Sequence, residues 1–154
     1  MQLILDLLHN HMLVCAIGAG ASAQFIKIII SIIKTKKFKA ERLLGAGGMP
    51  SAHSATVCGL VVSCWRLFGL SSFQFAFALV FAAIVIYDAM GVRFEAGQQA
   101  KVINQIVKIN NNDEIKSNDI YGFRELKERL GHTPYEVLGG IVYGSLFALL
   151  MPIF

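Results

Sequence analysis

The chain has 154 residues, enough for one domain and too few for two large ones. It is 55% hydrophobic and only 16% charged, with a mean hydropathy of +0.59, which excludes an ordinary water-soluble surface. The net charge of +4 lies between apolar runs without an aromatic-interleaved basic face, which argues against nucleic acid and for anionic lipid head groups.

Crossing a hydrocarbon core of about 30 Å takes roughly 20 helical residues, and four segments approach that length. Residues 3–8 come first, a short apolar piece that reads as an extra turn or an interfacial segment. The first span is expected over residues 12–33, interrupted by Gln24, Lys27 and Ser31. Residues 34–49 follow as a basic loop. The second span, 54–70, carries Trp65 and Arg66 near its end, and the third, 73–90, is the cleanest. A polar insertion covers about 91–134. In it, residues 96–109 place Ala100, Ile103 and Val107 at helical spacing and predict an amphipathic interfacial helix. Residues 110–118 (NNNDEIKSN) read as turn, and 121–130 as a second short charged helix. The last span, 136–154, contains Gly139, Gly140 and Gly144, small residues that let helices approach closely. The expected fold is therefore an all-α integral membrane bundle. It has about four transmembrane helices, with amphipathic or short helices between the third and fourth, in a single domain over residues 1–154.

Cys15, Cys58 and Cys64 all lie in apolar runs, odd in number and without metal-ligand spacing, so they read as small buried residues. No Lys or Arg precedes Lys27, so the first apolar run lacks the basic start of a secretory signal and is expected to be retained. Five cations sit in or beside the 34–49 loop and seven in the insertion, twelve of fourteen. The uncharged turn at 69–72 joins spans two and three, so both basic regions share one face. The positive-inside bias makes that face cytoplasmic and turns both termini outward.

Chemistry-bearing residues collect on the same face. Residues 45–54 (GAGGMPSAHS) combine glycines, a hydroxyl at Ser51 and an imidazole at His53 immediately before a helix. That pattern suits an anion held by backbone N–H groups. The same residues also read as a plain helix start marked by Pro50 and Ser51, and spacing alone does not choose. Asp88 and Arg93 form an ionisable pair at a membrane boundary, either functional or a snorkelling arginine beside a helix carboxylate. His132 and Glu136 stand one helical turn apart, so the carboxylate can orient the ring, or the two are a chance surface pair. Lys27 lies inside an apolar run, where an unpaired ammonium is costly and a bound phosphate would offset the cost, and Lys34 follows after six residues.

Four ordered blocks carry a family resemblance: AQFIK at 23–27, GGMPSAHS at 47–54, DAMGVR at 88–93 with AGQQAKVIN at 96–104, and LGHTPYEVLGG at 130–140. Together they resemble the divergent branch of the type 2 phosphatidic acid phosphatases, related to acid phosphatases and vanadium haloperoxidases. The superfamily signature Pro-Ser-Gly-His is matched by Pro50, Ser51, Ala52 and His53. The likeness implies that Ser51, with Ala52 and Gly48 beside it, holds phosphate oxygens and that His53 protonates the leaving alkoxide. A His followed four residues later by Asp is matched by His132 and Glu136. The likeness makes His132 the nucleophile, passing through a phosphohistidine, and Glu136 its orienting group. An Arg expected six residues before that His is replaced by Leu126, so Arg93 is taken to supply it, with Asp88 in support. Lys27 and Lys34 fit the spacing of a Lys and an Arg, although Lys34 stands for the Arg and Thr35 for a Pro.

The expected function is phosphomonoester hydrolysis on a membrane lipid phosphate. Phosphatidylglycerophosphate and phosphatidate suit a cytoplasmic face of a bacterial plasma membrane. No cofactor and no metal is required on this reading, and a homo-oligomer is compatible with it. Two other readings compete. One is a catalytically degenerate lipid-phosphate binder or scaffold, supported by the changes at Ala52, Leu126 and Glu136. The other is a small transporter, disfavoured because the polar groups gather at one face and not at mid-membrane.

Overall fold

The computed structural model describes residues 2–36, 48–110, 126 and 131–153, excepting a few helical side chains. In chain order the described residues form α1 (Gln2–Leu8), α2 (His11–Thr35), α3 (Ala52–Phe68), α4 (Phe73–Met90), α5 (Val92–Asn110) and α6 (Pro134–Leu150). The all-helical expectation holds. The four anticipated spans correspond to α2, α3, α4 and α6, and the helix expected over residues 96–109 to α5, which begins four residues earlier.

Each helix start has a local cause. Asn10 accepts from the Leu13 N–H, Ser51 from Ser54 and Ser72 from Phe75, so each side chain satisfies an orphan donor of its first turn. The start of α6 is a full capping box between Thr133 and Glu136, with Pro134 in the first turn. At its other end α2 runs two residues past the expected boundary, so Lys34 belongs to its last turn and not to the loop. Lys36, in the left-handed region, stops it by returning its N–H to Ile32 O.

The packing is that of a bilayer protein. α3 sits at the centre, against α2, α4 and α6, and α6 also packs on α2. Small residues fill the contacts: Ala16, Ala19 and Ala23 of α2, Ala55 of α3, Ala78 and Ala82 of α4, and Ala148 of α6 are all buried. A Cβ on Gly59 would lie 3.0 Å from that of Ala19, and one on Gly144 would strike the Ala55 backbone. Large apolar side chains instead point outward. Phe73 is 79% exposed and Phe77 62%, and Ile84, Tyr87 and Leu150 are likewise exposed. Water would penalise such a surface heavily, whereas lipid tails are as apolar as the side chains. Two runs, His11–Ile33 and one starting at Phe73, are long and apolar enough to cross a membrane. α3 and α6 have 17 residues each, about 25 Å of helix, short of the core by about a turn.

One expectation shifts, and one residue without an expected role acquires one. On α5 the buried stripe is Gly97, Ala100 and Asn104, so Ala100 lies inward as expected while Ile103 is 43% exposed and Asn104 takes the inward position beside it. Arg66, outside both basic clusters, donates through Nη1 to Ala148 O and Met151 O at 2.6 Å each. It thus satisfies carbonyls that the end of α6 leaves without intrahelical donors. The turn at 110–118 and the short helix at 121–130 lie outside the described residues, apart from Asn110 and Leu126.

Candidate functional site

Three chain segments far apart in sequence meet at one end of the bundle, joined by backbone. Ser51 N–H donates to Glu136 O at 2.9 Å, tying the start of α3 to the start of α6. His132 N–H donates to Ala89 O at 3.0 Å, tying the approach to α6 onto the last turn of α4. Gly140 makes this approach possible, because any Cβ there would collide with Ser51 and Ser54. Gly139 likewise faces the side chain of Met49.

On this frame the two histidines converge. His132 is 3% exposed and its Nε2 lies 3.4 Å from His53 Nδ1, while His53 itself is exposed on the first turn of α3. The rings meet edge to face, with centroids 5.7 Å apart and planes at 65°. Behind His132, Glu136 Oε2 lies 3.5 Å from Nδ1. Nδ1 makes no hydrogen bond at that distance, so the carboxylate acts on the ring through charge. Burial pushes the His132 imidazole below the ordinary histidine value of 6.5. The Glu136 charge opposes this, and His53 and Lys27 reinforce it. Burial prevails, which favours the uncharged imidazole.

Glu136 does more than orient a ring. Its Oε1 accepts from Gly48 N–H at 2.7 Å and its Oε2 from Thr133 N–H at 3.0 Å. One carboxylate thus holds the glycine loop, the helix start and the charge behind His132. Gly48 adopts φ +98°, a conformation L side chains rarely take, and a Cβ there would meet the Lys27 stem at 2.9 Å. Lys27 is buried against it, from the middle of α2.

Of the residues expected at the site, the structure brings together Lys27, Gly48, Ser51, Ala52, His53, His132 and Glu136. Ser51 is fully buried and acts as the cap of α3, receiving both the N–H and the hydroxyl of Ser54 at 3.4 and 3.2 Å. Ala52 and His53 begin that helix, where backbone N–H groups lack intrahelical acceptors and attract anions. Asp88 is half-buried, one residue before the Ala89 carbonyl that holds His132. The side chains of Arg93 and Lys34 lie outside the described residues, so their expected roles receive no geometry. Sequence reading passed over Ala89, whose contribution is a backbone carbonyl with no residue-type signal. It also passed over Asn104, which is 2% exposed and pairs its amide with both Leu126 N–H and Leu126 O, at 3.0 and 2.9 Å. A polar residue on the inward stripe of an amphipathic helix was the available signal for it. Among the described residues, no three His, Cys, Asp or Glu side chains group as a metal cage.

The chain is 38% identical to the uncharacterized membrane protein YuiD of Bacillus subtilis (strain 168), over 97% of this chain and 99% of the relative. No solved structure matches it. Residues 8–147 match the divergent PAP2 family, a span that takes in every group just described. With its helices packed through small residues and its large apolar side chains turned outward, the chain is a membrane protein of the divergent PAP2 family.

Proposed function

We propose that this single membrane-embedded domain is a lipid-phosphate phosphatase acting through a phosphohistidine on His132. One observation carries the reading: a buried imidazole whose Nε2 faces a second imidazole while a carboxylate stands behind its Nδ1. His132 Nε2 attacks phosphorus, the bond from phosphorus to the lipid oxygen breaks, and His53 gives that oxygen its proton. Water then attacks the phosphohistidine, its proton passes to His53, and the N–P bond breaks. The helix-start N–H groups of Ala52 and His53, together with Lys27 and Arg93, balance charge on the phosphoryl oxygens. In-line transfer needs about 7 Å between the two imidazole nitrogens, the sum of an attack distance, a P–O bond and a hydrogen bond. They are 3.4 Å apart, so His53, exposed on its helix start, swings outward as the phosphate enters.

Phosphatidate and phosphatidylglycerophosphate are the proposed substrates, presented by the bilayer itself. Detergent-solubilised protein is expected to release phosphate from one of them with a bell-shaped pH profile. The acid limb of kcat/KM should lie below the ordinary histidine value of 6.5, because attack requires His132 without its proton. The basic limb follows from the need for a protonated general acid. An acid limb above 6.5 would contradict the role given to His132. A second reading, a lipid-phosphate binder without activity, draws on one observation. Two groups expected to hold phosphate, the Gly48 amide and the Ser51 hydroxyl, are engaged within the fold. Binding without release across a panel of lipid phosphates would favour it.

The distribution of cations puts the site on the cytoplasmic face of a plasma membrane in this proposal. A cysteine at position 36, in Lys36→Cys on a background with Cys15, Cys58 and Cys64 changed to serine, should be shielded from an impermeant maleimide in intact cells. It should react once the membrane is opened. Labelling in intact cells would invert the topology.

A further inference from the structure

The two histidines are placed for a second kind of ligand. A metal ion with tetrahedral geometry holds imidazole nitrogens at 2.0–2.1 Å, which separates a pair of them by about 3.4 Å. His53 Nδ1 and His132 Nε2 are 3.4 Å apart, longer than the 2.9–3.0 Å usual for an N–H hydrogen bond and equal to that chord. The ring planes cross at 65° and the rings do not stack, which leaves room for an ion between the two nitrogens. Metal-bound histidines commonly have a carboxylate at the far ring nitrogen, and Glu136 stands there at 3.5 Å from His132 Nδ1, in charge contact but beyond a hydrogen bond. His53 is exposed, which gives an ion a way in.

We propose that His53 Nδ1 and His132 Nε2 together bind one transition-metal ion of the zinc class, and that the bound ion shuts the site. The ion takes the lone pair with which His132 would attack phosphorus and fixes His53 in its inward position. Water or phosphate oxygens complete the coordination. With two protein ligands and the Lys27 ammonium nearby, binding is reversible and weaker than at a structural zinc site. Zinc, copper, nickel and cobalt qualify as imidazole-binding ions, whereas magnesium and calcium, which prefer oxygen, do not. The binding part stands on geometry alone, and the shutting part rests on the phosphatase reading.

The test titrates the full chain in detergent micelles with Zn²⁺ alone by calorimetry, and with Co²⁺ by visible absorption. One ion per chain is expected, with cobalt bands of four-coordinate intensity. His53→Gln and His132→Ala should each weaken binding by about tenfold or more, and His9→Ala, exposed and away from the site, should leave it unchanged. His53→Gln alters an exposed side chain, so it remains informative if His132→Ala fails to fold. Absence of zinc binding, or binding unaffected by His53→Gln, overturns the site. Zinc that binds without slowing a His132-dependent phosphate release overturns the shutting part. Zinc binding through both histidines in a protein that hydrolyses no lipid phosphate supports the metal site and sinks the phosphatase reading instead.

Discussion

Replacing His132 by alanine is expected to abolish phosphate release while leaving the helical bundle folded. The variant loses the nitrogen that attacks phosphorus. A loss of about 10³-fold or more follows, about 4 kcal/mol of transition-state stabilisation. Fold retention has a separate basis. The hydrogen bond from residue 132 to Ala89 O is made by backbone, and the capping box between Thr133 and Glu136 does not involve the imidazole. His132 is also buried with an Nδ1 that makes no hydrogen bond, so its removal relieves a desolvation cost while opening a small cavity. Helical circular dichroism and thermal melting in detergent check the fold, and phosphate release checks the activity. Release at the wild-type rate from a folded variant would remove His132 from the mechanism.

Glu136→Gln belongs to the same experiment and separates charge from shape. The glutamine keeps an oxygen for either the Gly48 or the Thr133 amide, yet removes the charge that raises the proton affinity of His132. Activity should fall by about 10²-fold. The acid limb should move to still lower pH, because the opposing influence of burial is then unchecked. A residue that merely held the fold together would lower activity without moving that limb. Linkage gives the matching stability trend in the wild type. His132 resists a proton in the fold that it accepts when unfolded, so its contribution is complete above pH 6.5 and is lost as pH falls below it.

The second large effect is structural. Gly144→Val should separate α3 from α6 and destabilise the bundle by about 3 kcal/mol or more, in the upper range for overpacked contacts. The Cβ of any residue at 144 would fall on the backbone carbonyl and Cα of Ala55, and backbone within a helix cannot turn aside as a side chain can. Valine adds two methyl groups to that overlap. Because α6 carries Glu136 and positions His132, activity should disappear together with thermal stability. Gly69→Ala makes a useful contrast for the packing argument, since nothing lies within 4 Å of a Cβ there, although its φ of +79° adds backbone strain. A Gly144→Val protein melting at the wild-type temperature would show that α3 and α6 are not held by close backbone contact.

The sequence by itself determined the helices and their environment. Span length, few charges and small residues left a membrane bundle as the consistent solution, and Pro50 with Ser51 offered one helix start, whereas the caps at Ser72 and Thr133 emerged only with the structure. The blocks around His53 and His132 were legible as a pair because residue type and order survive without coordinates. What only the tertiary structure decided was which groups face one another. The 3.4 Å meeting of His53 and His132 depends on Gly140 letting α6 reach Ser51, on Ala89 offering a backbone carbonyl, and on Glu136 gripping the Gly48 amide. None of these contacts is encoded in a spacing. They arise because close packing of small side chains brings two imidazoles, 79 positions apart along the chain, to the same end of the bundle.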